Sequence, residues 1–161
     1  MTALHLTPQA PVDVKEALPA GLRAMYRLET AIRESSLPAT TYELVKIRAS
    51  QINGCAFCLD MHHHDAVEQG ETPERLALLP AWRESELFTH EERVALAITE
   101  HVTNISDGPV PVELEAEARR TFDEETYAAL IYAIVAINSW NRLSIVGHTV
   151  PGSLRKAAAS A

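Results

Sequence analysis

The stretch that most restricts the fold is "DEETYAALIYAIVAINSWNRL", residues 123–143, which is apolar on nearly every face from Tyr127 to Ile137. A small bundle can bury such a helix only at its centre or against another subunit. The run from Tyr127 to Trp140 falls short of the roughly 18 to 20 apolar residues that a membrane span needs. It is therefore read as a core or interface helix, with no membrane partner.

The rest of the pattern is helical too. Val14, Leu18, Leu22, Met25, Leu28 and Ile32 recur three or four apart, as one stripe of an amphipathic helix, and Pro19 and Gly21 divide that stretch into two pieces. In "SSLPATTYELVKIRASQIN", Thr40 or Thr41 is a candidate cap, Leu44, Ile47 and Ile52 share a face, and Asn53-Gly54 is a break. A second helix follows from about Cys55 to Gly70. Thr72-Pro73-Glu74 has the residues of a helix start, and the run ends at Pro80. Thr89 stands three residues before Glu92, a capping box ahead of Val94, Leu96, Ile98 and Val102. Asn104 to Pro111 reads as a loop, and "PVELEAEARRTF" as an acidic helix. With no alternating strand run or hairpin signal, the expected class is all-α, one domain over 1–161.

Charge and length narrow the partners. The 161 residues carry a formal charge of -8 and no run of basic residues, which argues against nucleic acid. No basic segment followed by a long apolar core opens the chain, so the expected location is cytoplasmic. In a reducing compartment two cysteines point to a catalytic dithiol or metal ligands before they point to a permanent staple.

Both cysteines and three of the seven histidines fall within "NGCAFCLDMHHHDAVEQG", residues 53–70. On a helix, the i,i+3 spacing of Cys55 and Cys58 brings their Cα atoms about 5 Å apart, inside the disulfide window. Asn53-Gly54 sets Cys55 at a helix N-terminus, where free amide N–H groups favour thiolate. His62 lies on the same face as both cysteines and is the natural base, whereas His63 and His64 are turned away to solvent or an interface. A zinc site remains an alternative, but His5, His90, His101 and His148 show no second ligand pair. A purely structural role is the third reading.

The segment "YELVKIRASQINGCAFCLDMHHHDAVEQG" resembles the core of the alkylhydroperoxidase AhpD-like family, within the carboxymuconolactone decarboxylase superfamily. The family pattern is Glu-x11-Cys-x2-Cys-x3-His, matched here by Glu43, Cys55, Cys58 and His62. The resemblance continues more weakly through "LLPAWRESELFTHEERVALAITEHVT" and "NSWNRLSIVGH", covering about residues 20–150. It implies an AhpD-like helical bundle, assembly as a homo-oligomer (trimer or hexamer), and reduction of a hydroperoxide at the expense of an external dithiol reductant.

By that resemblance Cys58 is the peroxidatic thiol and Cys55 the resolving one, His62 takes the Cys58 proton, and Glu43 orients or protonates the imidazole. No cofactor or metal is implied beyond the redox-active disulfide. Without the family spacing, Glu43 would read as a surface carboxylate paired with Lys46 or Arg48. The founding type has a histidine directly before the second cysteine, where this chain has Phe57, so part of the relay is absent. Two other readings follow from the superfamily and the residues: a decarboxylase, against which the cysteine pair argues, and a non-enzymatic redox-sensing or zinc-binding protein. Trp140, Asn141 and Arg142 are candidates to line a pocket or an interface but receive no role; otherwise Trp140 reads as core and Arg142 as the partner of a carboxylate.

Overall fold

The computed structural model describes residues 12–153, so His5 lies outside the described residues. Those residues form eight α-helices joined by turns and two short 3-10 segments, with no strand among them. The all-α expectation holds.

The first piece, α1 (Val14–Ala17), is separated from α2 (Pro19–Arg33) at Leu18, and Pro19 opens α2 where its missing N–H costs nothing. Gly21 does not break the chain; it sits in the first turn of α2. The predicted α2 stripe is only half covered, since Ile32 is its one buried residue.

Helix α3 (Ala39–Asn53) starts after Pro38 without any side-chain cap, so neither Thr40 nor Thr41 plays that part, and both lie inside the helix. Gly54 closes α3 in the left-handed conformation, φ 68°, which glycine adopts without the Cβ clash of other residues. Immediately afterwards Cys55 becomes the N-cap of α4 (Ala56–Glu68).

Helix α5 (Pro73–Leu78) is capped by Thr72 as expected, and the chain continues past it through a 3-10 turn, Leu79–Ala81, that includes Pro80. The Thr89–Glu92 capping box of α6 (His90–Thr103) is formed in both directions. A 3-10 turn, Ile105–Asp107, interrupts the following loop before the acidic α7 (Val112–Thr121).

The last helix, α8 (Glu124–Val146), runs 23 residues, longer than its apolar run suggested, and by length and composition it could cross a membrane. Its Leu130, Ile134 and Ile137 are nonetheless fully buried, and α3, α6 and α2 pack against it. Burial of each such side chain contributes roughly 1.5 to 3 kcal/mol. Ala129, Ala133 and Ala136 leave room for close approach of the neighbours.

The most enclosed helix is α3 and not α8. Every residue from Thr41 to Ile47 is buried, Glu43 and Lys46 included, between α4, α6 and α8. The outer side of α8 keeps Tyr132, Val135 and Val146 exposed.

Candidate active site

The α3–Gly54–α4 corner sets the site. Because Gly54 turns the backbone sharply, Cys55 caps α4 and its Sγ accepts the Cys58 backbone N–H at 3.4 Å. One helical turn on, Cys58 Sγ lies 2.7 Å from Cys55 Sγ, and both cysteines are free and buried. Helix phase next brings His62 into line, while His63 and His64 face solvent and His64 pairs only with Glu68.

The two thiols have opposite acidities. The bond from the Cys58 thiol, working against burial, and the amide N–H groups at the start of α4 bring the Cys55 thiol down to about 6. Cys58 is pushed well above the ordinary thiol value, first by giving its proton to Cys55 and then by burial. The helix-start reading of Cys55 is thus realised, and the pair shares one proton across a short contact.

Glu43 comes from the second turn of α3 and is completely buried. Its Oε2 lies 2.8 Å from His62 Nδ1. A carboxylate can only accept, so with Glu43 as carboxylate the bond is Nδ1–H donating to Oε2, and Nε2 is the ring nitrogen left outside it. Gln69 Nε2 at 3.4 Å and Arg33 Nη2 at 3.9 Å complete the surroundings of Glu43 Oε1. The surface pairing considered for Glu43 does not occur: Lys46 binds Glu29, and Arg48 binds Glu100.

Cys58 and His62 line one cavity of about 360 Å³, walled by Phe57, Met61, Tyr26 and Trp140. Its size is that of a small-molecule site. Phe57 closes one side, with the Lys15 ammonium 5.3 Å above its ring. Glu29, also in the cavity lining, collects three donors: Lys46 Nζ at 2.5 and 2.6 Å, the Tyr42 hydroxyl at 2.5 Å and Trp140 Nε1 at 2.7 Å.

Burial alone would raise the Glu29 carboxyl, but the Lys46 ammonium and the hydrogen bonds hold it below the usual range. Burial pulls Lys46 down despite that partner, and it drives the Tyr42 hydroxyl up with help from the Glu29 charge. The Tyr42 ring stands edge-on to His62, centroids 6.5 Å apart, and so fixes the imidazole plane.

Sequence patterning missed this Glu29 cluster, and it missed Asn141. That side chain is fully buried, donates to Ser50 Oγ and accepts from Asn53 Nδ2, each at 2.9 Å, and its hydrogen bonding favours the thiolate form of both cysteines. Trp140 is a cavity wall rather than plain core. Arg142 binds the carbonyl oxygens of Asn138 instead of a carboxylate. The only available signal was the i,i+3 and i,i+4 spacing of Ile137, Trp140, Asn141 and Ser144 on α8.

Glu43, His62 and Asp65 each offer one ligand atom, all within 4.8 Å, so they are the described residues best able to hold a metal ion. The cysteines stand outside this group, which is not the Cys-x2-Cys zinc arrangement weighed from the sequence. Burial and the Glu43 charge raise the Asp65 carboxyl.

An all-α bundle with a Cys-x2-Cys pair at a helix start and a buried Glu–His couple defines an AhpD-like helical protein. Residues 19–101 match the Carboxymuconolactone decarboxylase family, and the chain belongs to it. It is 47% identical over 134 residues to the uncharacterized protein YdfG of Bacillus subtilis, covering 83% of this chain and 91% of that one. A crystal structure of a protein of unknown function from Agrobacterium tumefaciens, linked to AhpD antioxidant defence, superposes with TM-score 0.83 at 33% identity, covering 89% of this chain and 98% of that one. An uncharacterized peroxidase-related protein from a Silicibacter species shares the fold at TM-score 0.74 and 19% identity, over 84% of this chain and 72% of that one.

Proposed function

We propose that the protein is a thiol-dependent peroxidase that reduces an organic hydroperoxide through a Cys55–Cys58 dithiol/disulfide cycle. Membership of the family and the likeness to AhpD-type proteins support a peroxidase-related role. The observation that carries the finer reading is that Cys58 and His62 share one substrate-sized cavity while Cys55 Sγ waits 2.7 Å behind Cys58.

Cys58 loses its proton to His62 Nε2, and Glu43 steadies the resulting imidazolium through Nδ1. The thiolate attacks the terminal peroxide oxygen, forming an S–O bond as the O–O bond breaks. The departing alkoxide takes the proton from His62 and leaves as an alcohol, with Cys58 now a sulfenic acid. The Cys55 thiolate then attacks Cys58 Sγ; the S–S bond forms and hydroxide leaves, to be protonated to water. An external dithiol supplies the two electrons and two protons that reopen the disulfide.

Phe57, in place of a relay histidine, contributes an apolar wall and no proton. The exposed Tyr132, Val135 and Val146 of α8 suit a homo-oligomer, and the cycle needs no metal or organic cofactor.

The test is thiol-trapping mass spectrometry after addition of an organic hydroperoxide, with peroxide consumption under a dithiol reductant. Wild type should form the Cys55–Cys58 disulfide, and Cys55→Ser should stop at the Cys58 sulfenic acid. Undiminished peroxide consumption by Cys58→Ser would refute the assignment, and so would one zinc per chain that Cys58→Ser removes.

A further inference from the structure

The dithiol has two separate openings. Cys58, but not Cys55, lines the 360 Å³ cavity shared with His62. A second cavity of about 310 Å³ is lined by Cys55 but not by Cys58. It lies between the start of α4 and the end of α8, where Ala56, Ile145, Thr149, Val150 and Pro151 form its walls. Phe57 and Ser144 border both cavities and form the partition between them.

We infer that the second cavity is the entry for a small thiol reductant, which attacks Cys55 of the disulfide while the peroxide uses only the Cys58 side. This rests on the peroxidase reading and adds to it a separate binding site and a direction for the exchange.

Thiol–disulfide exchange requires a thiolate to reach one sulfur with the other beyond it as leaving group, and access selects the sulfur attacked. A thiolate in the second cavity meets Cys55 Sγ, with Cys58 on the far side. A bond forms between the reductant sulfur and Cys55 as the S–S bond breaks. The electron pair goes to Cys58 Sγ, which takes up, by way of His62 Nε2, the proton that the reductant thiol released on becoming thiolate.

The second thiol of the reductant, as thiolate, then attacks the reductant sulfur of the mixed disulfide. Its own disulfide closes and Cys55 leaves as thiolate, held by the Cys58 amide N–H 3.4 Å away. The depressed acidity of Cys55 makes it a good leaving group for this step. The second cavity's walls pair the apolar Ala56, Ile145, Val150 and Pro151 with the polar Thr149 and His148, and their apolar share favours a slender apolar thiol over a highly charged one.

Two exposed wall residues, Ala56 on α4 and Ile145 on α8, belong to the second cavity alone and allow the openings to be blocked selectively. In a Cys58→Ser background, Ile145→Trp or Ala56→Trp should slow N-ethylmaleimide labelling of Cys55 by about tenfold, and much less than that for Cys58 in a Cys55→Ser background. In the otherwise wild-type chain, the same substitutions should slow reduction of the preformed disulfide by dithiothreitol to a similar degree.

Met61→Trp, on the wall of the first cavity only, should give the reverse labelling pattern. Equal slowing of both cysteines by Ile145→Trp and by Ala56→Trp, or no slowing of Cys55 by either, overturns the inference. These readouts use no peroxide, so a chain that fails to consume peroxide but shows the labelling split refutes the peroxidase reading and leaves the second entry standing.

Discussion

His62 Nδ1 lies 2.8 Å from Glu43 Oε2, a hydrogen bond between two buried side chains 19 residues apart that joins the second turn of α3 to the second turn of α4. It orients the imidazole, whose ring stands edge-on to Tyr42, and leaves Nε2 free of the carboxylate that holds Nδ1.

Replacing the charge at this bond tests its part in catalysis. Glu43→Gln keeps an oxygen to accept from Nδ1–H but no longer stabilises an imidazolium. Peroxide consumption should fall on the order of 100-fold at neutral pH and less at high pH, where hydroxide substitutes for the base. A rate–pH profile checks this, and a uniform loss at all pH values would count against the relay.

The acidity of Cys55 gives the reduced protein a pH-dependent stability. In the folded state the thiol is brought from 9.0 to about 6, so between those values the unfolded chain holds a proton that the folded chain has released. Stability from Cys55 is therefore complete above pH 9.0 and is lost as the pH falls through about 6. Cys58 acts oppositely: the unfolded chain loses this proton while the folded one keeps it, so stability declines once the pH exceeds 9.0. Urea unfolding of the reduced chain should show a rise in stability from pH 6 to 9 that Cys55→Ser lacks.

Asn141 links Ser50, Asn53 and the thiols, and its removal takes the donor from the buried Ser50 hydroxyl while Asn53 keeps Asn138. Asn141→Ala should cost about 1 to 3 kcal/mol. It should also move the alkylation midpoint of Cys55 upward from about 6, because a hydrogen bond to the thiolate is lost. Iodoacetamide alkylation followed over pH reports the midpoint, and an unmoved value would show that Asn141 serves packing alone.

The Lys46–Glu29 pair behaves as a unit. Lys46 is 1% exposed, so Glu29→Gln strands a buried ammonium and Lys46→Met leaves Glu29 with only its Tyr42 and Trp140 donors. Either change alone should cost about 3 to 5 kcal/mol, and the double variant should recover much of that loss. Denaturant midpoints for the four proteins of the cycle measure the coupling, and additive losses would mean the two residues act independently.

Local chemistry determined much of this protein before any fold was known. The capping box at Thr89, the Pro73 start and the Gly54 stop are effects within one helical turn, and they stand where the residues predicted them. The phase that aligns Cys55, Cys58 and His62 is likewise local, since a helix repeats every 3.6 residues whatever surrounds it.

Tertiary structure decided the rest, because burial depends on what packs against a face. The charges of Glu43 and Lys46 make α3 look like a surface helix, yet it is the most enclosed one, each charge finding its partner on another helix. The apolar α8, read as a core or interface helix, is buried along one side and keeps Tyr132, Val135 and Val146 on an outer face. Glu29 reaches the site from α2 through contacts that no spacing along the chain encodes, and the α8 spacing that puts Asn141 on one face with Ile137, Trp140 and Ser144 does not say what that face meets. The two cavities on either side of the dithiol exist only once α4 and α8 have packed together.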